Sequence, residues 1–446
     1  MSLEKALRKA RDTLLSFPRS TMIRVISHYD ADGITSAAIL CKSLYRKGYD
    51  FHATLLKHPF RKELERILEE ENEIIIFSDM GSGQVDLIEK FDGKAIIIDH
   101  HQPRSRPKKE STIFVNSNEY GIDGNYEISG AGLSYLFARV MDKENVDLSY
   151  LAISGAIGDK QHLGGFSGLN REILKEAVRN RIVKIEGARM KITGSTMLEE
   201  LTESIDPYYF GLSGNEEMAR KLLKNASVDP EKAYVELSED EKKKLHSMLV
   251  LRLMKCKVQP EVLENFIGKR YVTSSLQDDL ERFADVLDAC GKMGETGIAL
   301  ATCMDTEKFY GRAKSIEYNY RKIILKKLVE LEKDGLREKD RLIYFKSEKA
   351  SIGSCISSIV MNYFPYKEKP VFSITEKEDE IQVSCRATRE LVERGLDLGK
   401  VMSNIANKLG RSDGGGHKIA AGGSFRGVEL ERLIDMIDEE IRRQIG

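Results

Sequence analysis

Tryptophan is absent from the 446 residues, proline occurs nine times and cysteine six times. The cysteines, Cys41, Cys256, Cys290, Cys303, Cys355 and Cys385, form no CxxC pair and no regular ladder. A disulfide framework or a zinc knuckle therefore has little support, and buried free thiols are expected. No apolar stretch approaches the roughly 20 residues that cross a bilayer. The opening MSLEKALRKARDTLLSF has neither the apolar core nor the small-residue cleavage site of a signal peptide. A cytoplasmic location with no membrane partner is expected. A dominant charge is missing too: 70 Lys+Arg face 71 Asp+Glu, which argues against a uniformly basic coat for nucleic acid. What is present, 41% hydrophobic and 32% charged residues, suits a soluble globular chain of two or three domains. It excludes collagen-like and wholly disordered classes.

The first half alternates short β-branched runs with helical patterns. MIRVIS (22–27), FHATLLK, EIIIFSD (73–79) and KAIIIDH (94–100) read as buried strands, with a helix over about 34–47. Such alternation predicts a parallel, Rossmann-like sheet covered on both faces, with ligands beyond the carboxyl ends of its strands. The second half closes with a further α/β region. A long helix over roughly 306–334 leads to the strands RLIYFKS, KPVFSIT and EIQVSCRAT, a helix near 353–362, a loop at 410–425 and a terminal helix. Three segments are expected: 1–190, an acidic helical insertion at 191–305, and 306–446. The middle one holds 15 basic against 21 acidic residues, whereas its flanks hold 28 against 27 and 27 against 23.

The unusual polar residues gather at strand ends. His28, Asp30 and Asp32 follow the first strand, Asp79 another, and Asp99, His100 and His101 the next; Asp159 ends the apolar LAISGAIGD. A lone Asp-X-Asp is usually a solvated turn; convergence at one sheet rim changes its meaning. Buried together, these carboxylates would repel and some would have to be protonated. Two divalent cations compensate that charge, and carboxylates with one imidazole suit Mn²⁺ or Mg²⁺ better than Zn²⁺. A carboxylate shared by two such ions clamps a phosphoryl group and activates water, which points to phosphoester hydrolysis. A second signal is the run Gly414, Gly415, Gly416 and His417, followed by Gly422 and Gly423. It reads as a surface loop or, with Arg386 after a strand, as an anion-recognition element.

HYDADG, SDMG, IIDHHQP and GAIGDKQ, in this order and spacing, resemble the four motifs of the DHH phosphoesterase superfamily, and GGGHKIAAGGSF resembles the signature of its DHH-associated C-terminal domain. The motif-bearing regions span about two-thirds of the chain. Within the superfamily the chain is most similar to archaeal RecJ-type single-strand exonucleases, relatives of the eukaryotic replicative helicase accessory factor. The resemblance implies a Rossmann-like parallel-sheet DHH domain, a helical insertion and a smaller α/β DHH-associated C-terminal domain. It implies Asp30, Asp32, Asp79, His100 and Asp159 as metal ligands, Asp79 bridging. Asp99 would orient His100, and His101 would face the scissile phosphate. Arg386, His417 and the glycines would hold the substrate phosphate. Some branches carry a ligating His four residues before the first Asp of the first motif. Here His28 stands only two before Asp30, as a ligand in a shifted arrangement, a group supporting the ligands, or a substrate contact.

The implied function is a two-metal exonuclease on single-stranded DNA or RNA, using Mn²⁺ first and Mg²⁺ second, linked to replication or repair. Alternatives are an oligoribonuclease, a cyclic-dinucleotide phosphodiesterase or a nucleoside bisphosphate phosphatase, and a largely structural replication scaffold. By the same resemblance, the acidic insertion would bind protein, the GINS complex beside the replicative helicase. Arg104 and Arg106 are placed to meet a nucleic-acid backbone. FYGRAKSIEYNYRK (309–322) suits base stacking or a packing face equally. His162 is a site neighbour or a satisfied loop histidine, while His52, His58 and His246 read as ordinary surface or boundary residues.

Overall fold

Short apolar runs form five strands, β1 (Ile23–His28), β2 (Phe51–Leu56), β3 (Ile74–Ser78), β4 (Lys94–Asp99) and β5 (Thr112–Asn116). The computed structural model describes residues 2–57, 61–192, 194–410 and 412–445, so His58 and Arg411 lie outside the described residues. The five strands form one all-parallel sheet in the order β2-β1-β3-β4-β5. Ile74, Ile76, Ile96 and Ile98 enter one core cluster, with the helices Ala31–Arg46, Gly130–Met141 and Ser149–Gly158. Their alternates Ile75, Phe77, Ala95 and Ile97 enter another on the opposite face. Burial on both faces explains why these strands read as continuous apolar runs.

The chain divides into two compact units, residues 1–189 with 267–318, and residues 190–266 with 319–446. The stretch 191–305, expected as one helical insertion, is thus shared between them. Its last part is core to the first unit: Leu280, Phe283, Val286, Leu287 and Cys290 of the helix Leu280–Met293 join the same cluster as the sheet. The apolar stripe of that helix is the physical reason. The stretch also contains a strand, Ile267–Val272, which pairs with Lys184–Met190.

The second unit holds a six-stranded mixed sheet, in the spatial order 413–416, 420–425, 381–386, 371–376, 343–346 and 337–338. Helices Leu398–Leu409 and Leu430–Ile445 share a core with it. The 410–425 stretch is a hairpin where a loop is expected: Gly414 pairs with Gly423, Gly415 with Gly422 and Gly416 with Ala421. A Cβ on Gly414 would stand 2.5 Å from the Met402 carbonyl oxygen, so glycine here serves close packing of helix on strand. Among the described residues no helix is long and apolar enough to cross a membrane.

Candidate metal centre

The strand order reverses direction at β1 and β3, and in open α/β sheets ligands bind at that switch point, beyond the carboxyl ends. His28 ends β1, Asp30 caps the helix Ala31–Arg46 that follows, and Asp79 comes directly after β3. The Asp30 side chain accepts the Gly33 N–H at 3.0 Å, the capping bond that starts the helix. Asp79 has φ of 55°, a left-handed conformation that costs a non-glycine residue energy and turns its carboxylate onto the rim. Asp159 terminates the helix Ser149–Gly158.

Three overlapping groups of potential ligands result: His28, Asp30 and Asp79; Asp79, Asp99, His100 and His101; and Asp32, His100 and Asp159. Asp79 belongs to the first two and His100 to the last two. His28 Nδ1 lies 2.7 Å from Asp30 Oδ2 and 3.8 Å from Asp79 Oδ2. His100 Nε2 lies 3.1 Å from Asp79 Oδ1, 3.4 Å from Asp159 Oδ2 and 3.7 Å from Asp32 Oδ2. All the expected first-unit ligands are thus within one cluster. Asp32 is additionally held by the N-terminus of the helix Gly130–Met141, accepting the Gly130 and Ala131 N–H groups at 2.6 and 2.9 Å. The close approach requires glycine: a Cβ on Gly130 would fall 2.7 Å from Asp79 Oδ1, and one on Gly155 2.4 Å from Asp32 Oδ1.

Electrostatics follow from this crowding. Burial, then repulsion from Asp32 and Asp30, holds the Asp79 carboxyl well above the usual carboxylate range. Burial and Asp32 push Asp159 up to about 7. For Asp30 burial acts upward too, but the His28 imidazole outweighs it and holds the group below its ordinary value. Clustered oxygen donors with one or two imidazoles, short of positive charge, are a donor set that fits hard divalent cations.

Asp99 has a partner other than the one expected. Its Oδ1 accepts from His101, with Nδ1 at 2.8 Å, and its Oδ2 accepts the Ser82 N–H at 2.9 Å. Side chains alternate along extended chain, so Asp99 and His101 share a face and His100 points to the other. His100 instead sets Nδ1 against the Gly124 carbonyl oxygen at 2.6 Å. Burial opposes charging of His101, but Asp99 outweighs it and raises the imidazole to about 9. The His101 side chain is 55% exposed.

Arg104 is exposed on the following loop, and Arg106 forms an ion pair with Glu119 at 2.5 Å. His162 is buried with its ring centroid 6.3 Å from that of Phe166, His52 is exposed on β2, and His246 stacks on Tyr234. Arg386, His417 and Gly414–Gly416 belong to the second unit. There Arg386 pairs in register with Ala420, just past the turn carrying the exposed His417. Its guanidinium donates to Ser358 Oγ and Ser354 Oγ, each at 2.9 Å, and to the Cys385 carbonyl. These acceptors are all neutral. Residues that the motifs do not reveal support the first-unit rim. Asn116 donates to the His101 carbonyl at 2.8 Å and Asn118 to the His100 carbonyl at 2.9 Å. The pattern that marks Asp79, a β-branched run ending in polar side chains, also marks Asn116 after TIFV.

The model of the DHH family N-terminal domain matches residues 22–155, and that of the DHHA1 domain matches residues 347–443. An uncharacterized protein of Methanocaldococcus jannaschii, MJ0831, is 32% identical over 99% of this chain and 98% of its own length. The chain belongs to the DHH family. It is a RecJ-like member of that phosphoesterase superfamily. The single-stranded-DNA-specific exonuclease RecJ of Thermus thermophilus is 28% identical across 40% of this chain, a match that spans 26% of RecJ. The structure of that RecJ in complex with Mn²⁺ matches with a TM-score of 0.62 at 18% identity, over 98% of this chain and 55% of RecJ. CDC45 from Entamoeba histolytica matches with a TM-score of 0.68 at 12% identity, over 98% of this chain and 99% of its own. At such identities the structural matches establish a common fold.

Proposed function

We propose that the protein is a divalent-metal-dependent exonuclease that hydrolyses phosphodiester bonds of single-stranded DNA or RNA, in replication or repair. The observation that carries this reading is the convergence of Asp30, Asp32, Asp79 and Asp159 with His28 and His100 at the sheet switch point. The RecJ relative supports the substrate class, and its Mn²⁺ complex supports the metal. Asp30, Asp32, Asp79, His100 and Asp159, with His28 beside Asp30, would hold two cations, Mn²⁺ or Mg²⁺. When bound, these cations would supply positive charge against the phosphate and acidify water.

The chain's own groups do the rest. Asp99 holds the His101 Nδ1–H, which leaves Nε2–H as the proton donor to the leaving oxygen and a positive charge beside the developing negative one. Arg386, seated by two hydroxyls and with no carboxylate partner among the described residues, would grip a substrate phosphate, with His417 on the adjacent turn. Arg104 would follow the nucleic-acid backbone. Replacing Asp79 by Ala should abolish hydrolysis under saturating Mn²⁺ while circular dichroism stays unchanged. Retained turnover would contradict the assignment.

A second role beside the replication machinery, with GINS as the partner, is what the motif resemblance implies, and the fold shared with CDC45 is compatible with it. That contact would lie on the helices of the second unit's share of 191–305. Removing roughly 200–290 is a poor test, because it strips Leu280, Phe283, Val286 and Leu287 from the first core, at about 1.5–3 kcal/mol each. Leu251 and Met254, 58% and 55% exposed on the helix Glu239–Lys255, offer a surface test instead.

A further inference from the structure

His100 presents Nε2 to Asp79, Asp32 and Asp159, so its value as a ligand depends on which ring nitrogen carries the proton. The Gly124 carbonyl oxygen, 2.6 Å from Nδ1, can only accept. It therefore places hydrogen on Nδ1 and leaves Nε2 with its lone pair in the neutral ring. The carbonyl is itself held from the other side. Gln161 Nε2 donates to it at 2.9 Å, and reaches the Ile128 carbonyl oxygen at 3.4 Å. Two carbonyls at one end of the amide define which end is NH₂. The other end, Oε1, accepts from Asn170 Nδ2 at 2.5 Å. Both side chains are buried, Gln161 at 5% and Asn170 at 1% exposure. Asn170 is anchored in turn by its N–H on the Glu127 carbonyl oxygen at 2.8 Å. Gly124 cannot be replaced in this arrangement, since a Cβ there would lie 1.8 Å from the His100 carbonyl oxygen.

We propose that Gln161, seated by Asn170, is a positioning residue that fixes the tautomer and ring orientation of His100 through the Gly124 carbonyl, and so sets the affinity of the cation site. The proposal rests on the metal role of His100 put forward above. Both lone pairs of the carbonyl are used, one by His100 and one by Gln161. Without Gln161 the 124 peptide loses the bond that sets its direction, and with it the bond that orders the imidazole. Outer groups that orient a ligating histidine typically change metal affinity by about tenfold to a hundredfold. A merely structural bridge would lower stability and leave the affinity alone.

The test is Mn²⁺ titration calorimetry on the full chain, its Gln161→Met variant and its His100→Ala variant, each checked by circular dichroism. Affinity about tenfold to a hundredfold weaker in Gln161→Met is the expected result. Affinity within about twofold of the unaltered chain, alongside a clear loss in His100→Ala, overturns the positioning role alone. Absence of Mn²⁺ binding by the unaltered chain overturns the metal site and this proposal with it. Should Gln161→Met fail to fold, ¹⁵N spectra of histidine-labelled unaltered protein decide. A neutral His100 protonated on Nδ1 supports the proposal, and one protonated on Nε2 refutes it.

Discussion

In the first unit, four aspartates crowd one rim, and burial with mutual repulsion drives Asp79 and Asp159 upward in pKa. In the second unit, Arg386 is enclosed beside two serines and a carbonyl, and burial drives its guanidinium downward. One region crowds buried carboxylates against one another, and the other holds a half-buried cation among neutral acceptors. Buried charge in excess costs stability unless a ligand completes it. Under the proposed function the two regions would take ligands of opposite sign, cations in the first unit and a phosphate in the second. A metallophosphoesterase needs both.

The sharpest way to break the comparison is Asp79. Its replacement by Asn should remove hydrolysis altogether, yet raise the melting temperature of the metal-stripped protein by a few degrees, at about 2–4 °C per kcal/mol of relieved repulsion. Differential scanning calorimetry in chelator checks this, and a lower melting temperature would count against excess negative charge. Next, His101→Ala should reduce kcat by about a hundredfold to ten-thousandfold, with Mn²⁺ affinity kept, as measured by steady-state kinetics beside calorimetry. A matching loss of affinity would make His101 a ligand instead. Arg386→Ala should act chiefly through KM, raising it by about tenfold to a hundredfold as one charge-assisted phosphate contact is lost. An unchanged KM would detach the second unit from substrate binding. Smallest for catalysis is the pair Leu251→Asp and Met254→Asp. Hydrolysis should stay within about twofold, as for surface positions outside the machinery, while co-precipitation with GINS is lost. Persistent GINS binding would remove that helix from the partner surface.

A chain-length series from dinucleotide to 30-mer sharpens the substrate side. A single-strand exonuclease should work at every length, whereas an enzyme built for dinucleotides should fail steeply as length grows.

The strand-end rule made most of the first rim legible in advance. β-branched runs end in Asp79 and Asp99, and a parallel sheet has one place to bring such ends together. What surrounds the ligands was not legible, because its partners are far apart in sequence. Asp32 meets the N-terminus of a helix 98 residues on, and Gln161 meets a carbonyl 37 residues before it. The partner of Asp99 follows from the two-residue period of extended chain, a rule that reading Asp-His-His as a linear motif overlooks. The glycine run misled for a related reason. Isolated Gly-Gly-Gly suggests a flexible loop, but the facing Gly422 and Gly423 complete a hairpin whose tightness only the packed helix explains. The stretch 191–305 reads as one body because its net charge is acidic and helical patterns dominate it, while the apolar stripe from Leu280 to Cys290 carries its end into another core.

Mn²⁺ titration into the metal-stripped chain, set beside the same titration of Asp79→Asn, tests the centre most directly. Two ions bound per unaltered chain, and binding lost or reduced to one ion in the variant, is the expected result. Equal binding by both proteins would contradict a cation centre built around Asp79.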